Sequence, residues 1–343
     1  MEVNKDVQQS ILEAIKEQLN PAVALVDELA DCLTISKDSA YRRIRGEKMF
    51  DIEEIKMITL KYDLSLDRIF NHEKSTVTFN SQAINLTDFT FEKYLESVLN
   101  NLSLIVGLDN KELLYSARDI PIFHYFQFRE LSAFKVYFWL KSYLNDPSLN
   151  GEDFQLDRLP SQLHKLIGLG ERIWKAYRLL PSTEIWSHET ANISLRQIQY
   201  YHENGMLSNE DAQVLCAQFG QMLDHIKLQA EHSSKLDLGQ EGDNSDIEYK
   251  IYLSEVAIGD NAILFKMGSK KISFLSFNSL SYLSTSDENF CNLIDDNFQN
   301  LTRKSVLISA TSEKSRNRFF NNVSEKLASL KSNLSYSQER KPI

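Results

Sequence analysis

The chain of 343 residues is poor in the residues that interrupt regular structure, with 11 glycines and 6 prolines. So few turn formers argue against an all-β or loop-rich fold and favour long helices. Cysteine is scarce as well. Cys32, Cys216 and Cys291 are odd in number and far apart, which supplies neither a disulfide frame nor a zinc cluster and fits a reducing, cytoplasmic setting. No apolar run reaches the roughly 18 residues that read as a membrane span. The nearest, "FKVYFWLKSYL" at 134–144, is short and carries lysines, so it reads as a core helix. The polar start "MEVNKDVQQS" has no apolar signal core. Nucleophile elbow, P-loop, dinucleotide glycine fingerprint and CxxC are all missing, so no motif points to an enzyme or a bound cofactor. The 7 histidines include no H-x-x-x-H pair, and no metal site is expected.

What is present is a local excess of positive charge. The formal net charge is −10, which argues against non-specific nucleic-acid binding by the protein as a whole. Yet "TISKDSAYRRIRGEKM", 34–49, holds Lys37, Arg42, Arg43, Arg45 and Lys48 against Asp38 and Glu47. Any contact with DNA must therefore be local.

Periodicity divides the chain. Residues 1–75 read as a cluster of short helices. Asn20-Pro21 caps one, with Ala22, Val26, Leu29, Ala30 and Leu33 at helical spacing behind it. Ser36 caps a second helix that Gly46 stops. Asp51 and Glu54 have capping-box spacing, and Ser65 caps a last turn, "SLDRIF". Residues 76–87 read as a polar, β-prone connector. Residues 88–232 read as long helices, among them 160–180, 182–204 and 208–232. Residues 233–247 are polar and acidic, a linker or long surface loop. Period-two stretches then predict a meander of short strands, which two helices and a strand complete as a small α+β unit over 248–332. Residues 333–343 read as a disordered tail. The expected fold class is mainly α: a helix-turn-helix bundle, a helical middle domain and the small α+β unit.

The pattern "LADCLTISKDSAYRRIRG" satisfies the packing of a helix-turn-helix. Ala30 and Ala40 are the small residues where two helices cross, Leu29 and Leu33 face the shared core, and Ile35 plugs the turn. A helix start bearing short polar and cationic side chains suits the major groove, where Arg reads guanine edges and Ser, Lys and main-chain N–H groups hold phosphates.

Residues 22–70 resemble the DNA-binding domain of Cro/repressor-type (XRE-like) transcriptional regulators. "LADCLTIS", "RGEK" and "YDLSLDRIF" match that family's first helix, post-recognition turn and last helix. "SKDSAYRRIRG" is also similar to resolvase-type recognition helices. More loosely, "TEIWSHETANISLRQIQYY" and the aromatic segment before it look like the long helical C-terminal parts of such regulators. The resemblance implies a lambda-repressor-like fold, double-stranded DNA as partner, and groove-facing positions at Lys37, Asp38, Ser39, Arg42 and Arg43. Ser36 and Tyr41 would touch phosphate, with Arg45 and Lys48 beside the backbone. Two departures stand out. Thr34 occupies the turn position where the family usually has Gly, and Arg43 sits where many members place an apolar residue. Arg42 and Arg43 could therefore exchange roles.

One such module makes few contacts, so a homodimer reading two half-sites is expected, with the C-terminal region for dimerisation and for sensing an unidentified small-molecule or protein effector. The alternative is a scaffold that uses the helix-turn-helix fold to bind a protein partner. Two further features each have two readings. Nine aromatics between Phe123 and Tyr143 form either a ligand pocket or a core stripe plus dimer face. Thr311 or Ser312 with Arg316 forms either an anion site or an ordinary helix start.

Overall fold

The computed structural model describes residues 2–19, 23–62, 64, 66, 69, 77–81, 90–239, 246–278 and 281–336. Two compact units emerge, Met1–Thr78 and Phe79–Ile343. The expected caps at Asn20-Pro21 and Ser65 lie outside the described residues, as do most of the connector, 240–245 of the 233–247 segment and 337–343 of the tail. Among the described residues no helix is long and apolar enough to cross a membrane. Cys32, Cys216 and Cys291 are buried and free.

The first unit contains α1 (Glu2–Gln18), α2 (Leu25–Leu33), α3 (Lys37–Ile44) and α4 (Ile52–Tyr62). Its core follows the sequence periodicity. Ile11, Leu12 and Ile15 of α1 meet Val26, Leu29 and Leu33 of α2, Ala40 of α3 and Ile58 of α4. Ala40 is completely buried, and Ala30 nearly so. A larger side chain at either would hold the two helices apart.

The second unit overturns the mainly-α expectation. Its described residues include eight strands joined in one mixed sheet. The elements run β1 (Asn80–Ser81), α5 (Phe91–Val106), β2 (Lys111–Ser116), α6 (Ile122–Tyr125), α7 (Arg129–Ser142), α8 (Ser161–Tyr177), β3 (Ser182–Ser187), α9 (Asn192–Glu203), α10 (Asn209–His232) and β4 (Tyr249–Ser254). They continue with β5 (Ala262–Met267), β6 (Lys270–Asn278), β7 (Ser281–Thr285), α11 (Glu288–Arg303), β8 (Val306–Leu307) and α12 (Glu313–Tyr336). The strand order is β1-β7-β6-β5-β2-β3-β4-β8. β2, β3 and β4 are parallel; every other pairing is antiparallel.

The difference has a physical reason. β2 and β3 lie inside the stretch read as all helical. Each is six residues long, and β3, "STEIWS", is buried at every position. A parallel strand covered on both faces has no in–out alternation to detect. Hence 182–204 is strand, turn and helix, not one helix. The supposed meander also splits. β5, β6 and β7 are hairpin neighbours, whereas β4 pairs with β3 and β8 and β5 pairs with β2. The "small" C-terminal unit thus supplies five of the eight strands, and β2 and β3 inside the sheet come from the supposed helical domain. Ser234 and Leu236 of the supposed linker are buried, and residues 333–336 of the supposed tail continue α12.

One sheet face carries a thick helical layer, α5 to α10 and α12, over Leu113, Tyr115, Tyr249, Ile251 and Phe265. The other face packs Leu114, Ile185 and Leu264 against Cys291 and Phe298 of α11. Glu184 points from β3 into the thick layer and is wholly buried. Its carboxylate accepts from Tyr177, from His124 Nε2 at 3.0 Å, from Trp186 Nε1 at 2.8 Å and from Tyr249 Oη at 2.9 Å. Burial pushes the Glu184 carboxyl up, but His124, Tyr177 and Lys235 together hold it below its ordinary range. Lys235 Nζ donates to the Tyr177 carbonyl at 2.9 Å and to Ser182 Oγ at 2.7 Å.

Gly170 of α8 packs closely against Phe126, just past α6. A Cβ at Gly170 would fall 2.4 Å from the ring's Cδ1. Gly170→Ala should therefore destabilise the protein by about 1–3 kcal/mol in urea unfolding, despite the gain of about 1 kcal/mol in helix propensity.

Candidate nucleic-acid interface

α2 ends at Thr34, which takes the left-handed conformation with φ 54° and ψ 45°. The Ile35 N–H then reaches back to the Ala30 carbonyl at 2.9 Å, closing a Schellman-type stop. Ser36 is extended, and its hydroxyl accepts from the Ser39 N–H at 3.3 Å, capping α3. Three residues therefore turn the chain from one helix into the next, as the sequence pattern requires. The exposed, β-branched Thr34 pays for the turn in backbone strain that Gly would avoid.

On α3 the two adjacent arginines take opposite roles. The Arg42 side chain is 55% exposed and, among the described residues, makes only a 3.9 Å ion contact with Glu47. The Arg43 side chain is 1% exposed. Its guanidinium forks onto Glu54, with Nε 2.9 Å from Oε2 and Nη2 on Oε1, and Nη1 donates to the Ser39 carbonyl at 3.1 Å. Arg43 is thus removed from the groove-facing set. The physical reason is that its position on α3 points to α4, where Glu54 waits. Arg43 fills the place that an apolar residue takes in the resembled family, and Ile44 only packs at the edge of the core.

Glu54 has a second task. Its Oε2 accepts from the Asp51 N–H at 3.2 Å while Asp51 Oδ1 accepts from the Glu54 N–H at 2.9 Å. The expected capping box is present, and its carboxylate is also the counterion of Arg43. From α1, Gln8 completes the clasp. Its Nε2 donates to the carbonyls of Arg43 at 2.7 Å and Lys48 at 3.0 Å, and its Oε1 accepts from the Phe50 N–H at 2.8 Å. Gln8 is buried. Nothing in its polar sequence surroundings marks it; only the burial of Ile11, Leu12 and Ile15 on the same helix hints at an inward face.

The remaining members of the set lie on one exposed surface. Lys37 meets Asp27 at 2.6 Å with both side chains largely in solvent, and this neighbour raises the Lys37 pKa. Asp38, Tyr41, Arg45 and Lys48 are exposed, and Ser39 is half-buried. Arg45 contacts Glu47 at 3.4 Å. Solvent-exposed pairs of this kind contribute little and open readily. The surface therefore combines Ser36, Lys37, Asp38, Ser39, Tyr41 and Arg42 along the start of α3 with Arg45 and Lys48 just beyond its end. Arg316, by contrast, is no anion receptor. It is buried, and its Nη1 donates to the carbonyls of Ile308 at 2.9 Å and Thr311 at 3.2 Å.

Compared with known proteins, the chain matches no family model, no curated protein and no solved structure.

Two substitutions test this local account. Thr34→Gly should stabilise α2 and α3 by about 1 kcal/mol, the strain of a β-branched residue at positive φ less the extra freedom of an unfolded Gly, seen as slower amide exchange in both helices. Arg43→Ala should cost about 3–5 kcal/mol because it strands the Glu54 charge. Arg43→Met combined with Glu54→Gln should recover most of that loss in urea unfolding, since it keeps the cap and removes both charges.

Proposed function

We propose that this protein is a sequence-specific, DNA-binding transcriptional regulator that places α3 in the major groove and acts as a homodimer. One observation carries the reading. A short helix with a side-chain cap and a tight left-handed entry turn exposes Lys37, Arg42, Arg45 and Lys48 on one side and is locked from behind by Arg43 and Glu54. Helix starts built this way offer main-chain N–H groups to phosphate and an arginine to base edges. Arg42 is the base-reading candidate, with Ser39 and Lys37 beside it. Arg45 and Lys48 suit phosphates.

A single α3 offers too few contacts for tight binding at physiological salt, and the net charge of −10 makes that deficit larger. Two copies on half-sites about 34 Å apart would meet it. Ile52 and Leu60 of α4, 80% and 75% exposed, are apolar surface of the kind that subunit contacts use.

The test is selection of bound fragments from genomic DNA at two salt concentrations, followed by anisotropy titrations on the selected site. Arg42→Ala should weaken that site by about 1–3 kcal/mol and relax preference at one base pair. Lys48→Ala should weaken all sequences alike and flatten the salt dependence. Unchanged specific binding by folded Arg42→Ala would sink the assignment of Arg42. A chain that selects no sequence at either salt, yet retains protein partners through the same unit, would replace the DNA reading with the scaffold reading.

A further inference from the structure

The second unit has a cavity of about 350 Å³. It opens beside the carboxyl end of β2, where the sheet changes from parallel pairing with β3 to antiparallel pairing with β5. Open α/β sheets bind ligands in the crevice outside the carboxyl ends of their parallel strands. The volume suits a ligand of one or two fused rings.

Its walls are aromatic. Tyr94 of α5, Tyr115 of β2, Trp139 of α7, Tyr143 just past α7 and Tyr282 of β7 all line it. Rings converging from several elements on one gap favour a flat, aromatic occupant. Trp139 and Tyr143 are the only two of the nine aromatics between 123 and 143 to line this cavity; most of the others are core.

The charges single out one free cation. Lys135 is 3% exposed, and its Nζ is held by Asp119 Oδ2 and Gln197 Oε1, both at 2.9 Å, and lies 4.6 Å from the centre of the Tyr125 ring. Asp119 is in turn satisfied by Lys135, by Ser194 at 3.2 Å and by the Ile120 N–H at 2.9 Å. That leaves Arg118, exposed at the rim, whose guanidinium has no carboxylate or hydrogen-bond partner among the described residues. Its main chain is fixed. The Arg118 N–H donates to Asn261 Oδ1 at 2.9 Å, and the preceding Ala117 carbonyl accepts from Thr190 Oγ1 at 3.0 Å. The guanidinium thus projects from a pinned loop, which lowers the ordering cost of binding. Asp260 stands on the same rim and makes no ion pair with Arg118.

We propose that this cavity binds a small aromatic carboxylate, its ring against Trp139 and Tyr143 and its carboxylate on Arg118. This concerns the second unit alone. It is measured without DNA, so its failure and that of the DNA reading are separate results.

The test is titration of the full chain with benzoate, indole-3-acetate and L-tryptophan, following Trp fluorescence and calorimetry. The carboxamides of the first two acids, which keep the ring and lose the negative charge, serve as controls. At least one acid should bind saturably and perturb Trp139 emission, and its carboxamide should bind about tenfold or more weakly. Arg118→Ala, at an exposed site, should remove that preference, and Tyr143→Ala should weaken both forms. Asp260→Ala separates the two sources of such a carboxylate: it should strengthen a simple aromatic acid and weaken an amino acid, whose ammonium it would meet. Absence of saturable binding by every acid at millimolar concentration, equal binding of acid and carboxamide, or an Arg118→Ala variant of unchanged affinity would each overturn the proposal.

Discussion

A charge withdrawn from water costs several kcal/mol unless a partner meets it in good geometry. That constraint organises both units. In the first, Arg43 can be buried only because Glu54 meets it, and the pair locks α3 to α4. In the second, Glu184 is admitted to the core by four donors arranged around it, and Lys135 by Asp119 and Gln197. Each pairing fixes a rotation or a loop, and the surfaces that remain free are defined by what the buried pairs have consumed. Arg42 is outside because Arg43 is inside. Arg118 is free because Lys135 is not.

The clasp around α3 joins several otherwise separate features. Glu54 caps α4 and neutralises Arg43 at once, while Gln8 ties the turn after α3 to α1. Any change in one reaches the others, so the unit's stability and the presentation of its basic surface are coupled. Exposed pairs such as Lys37 with Asp27 have the opposite character. They are wet, weak and exchangeable, and a phosphate could replace the carboxylate at little cost.

How much of this was legible follows from the range of each interaction. The turn at Thr34, the Ser36 cap, Ala30 and Ala40 at the crossing, and the Asp51–Glu54 box are local, and pattern revealed them. The roles of Arg42 and Arg43 differ by one helical step, and the residue that decides between them lies 11 positions away on the next helix. Pattern left that choice open. β2 and β3 were hidden because they show neither a clean in–out alternation nor an apolar run: β3 is covered on both faces yet carries Ser182, Thr183, Glu184 and Ser187 among its buried residues. The aromatic wealth between Phe123 and Tyr143 was visible, but not its division, in which Trp139 and Tyr143 line a cavity and Phe126, Phe134 and Tyr137 fill the core. Arg118 and Asp119 carry no motif; their significance comes from strand order alone.

The acidic residues around α3 become intelligible on the regulator proposal. Non-specific association with DNA is almost entirely electrostatic, whereas a specific site adds base contacts that charge alone does not supply. Acidic neighbours such as Asp27 and Glu47, in a chain of net charge −10, would penalise both modes by a similar amount of free energy. The non-specific mode has less to lose before it vanishes. A protein built this way sacrifices absolute affinity and reduces the time spent on the many competing sites of a genome, where the ratio of specific to non-specific binding matters more than either constant. On the same proposal, recovery of affinity would fall to a second copy, which would double the base contacts as well as the phosphate contacts.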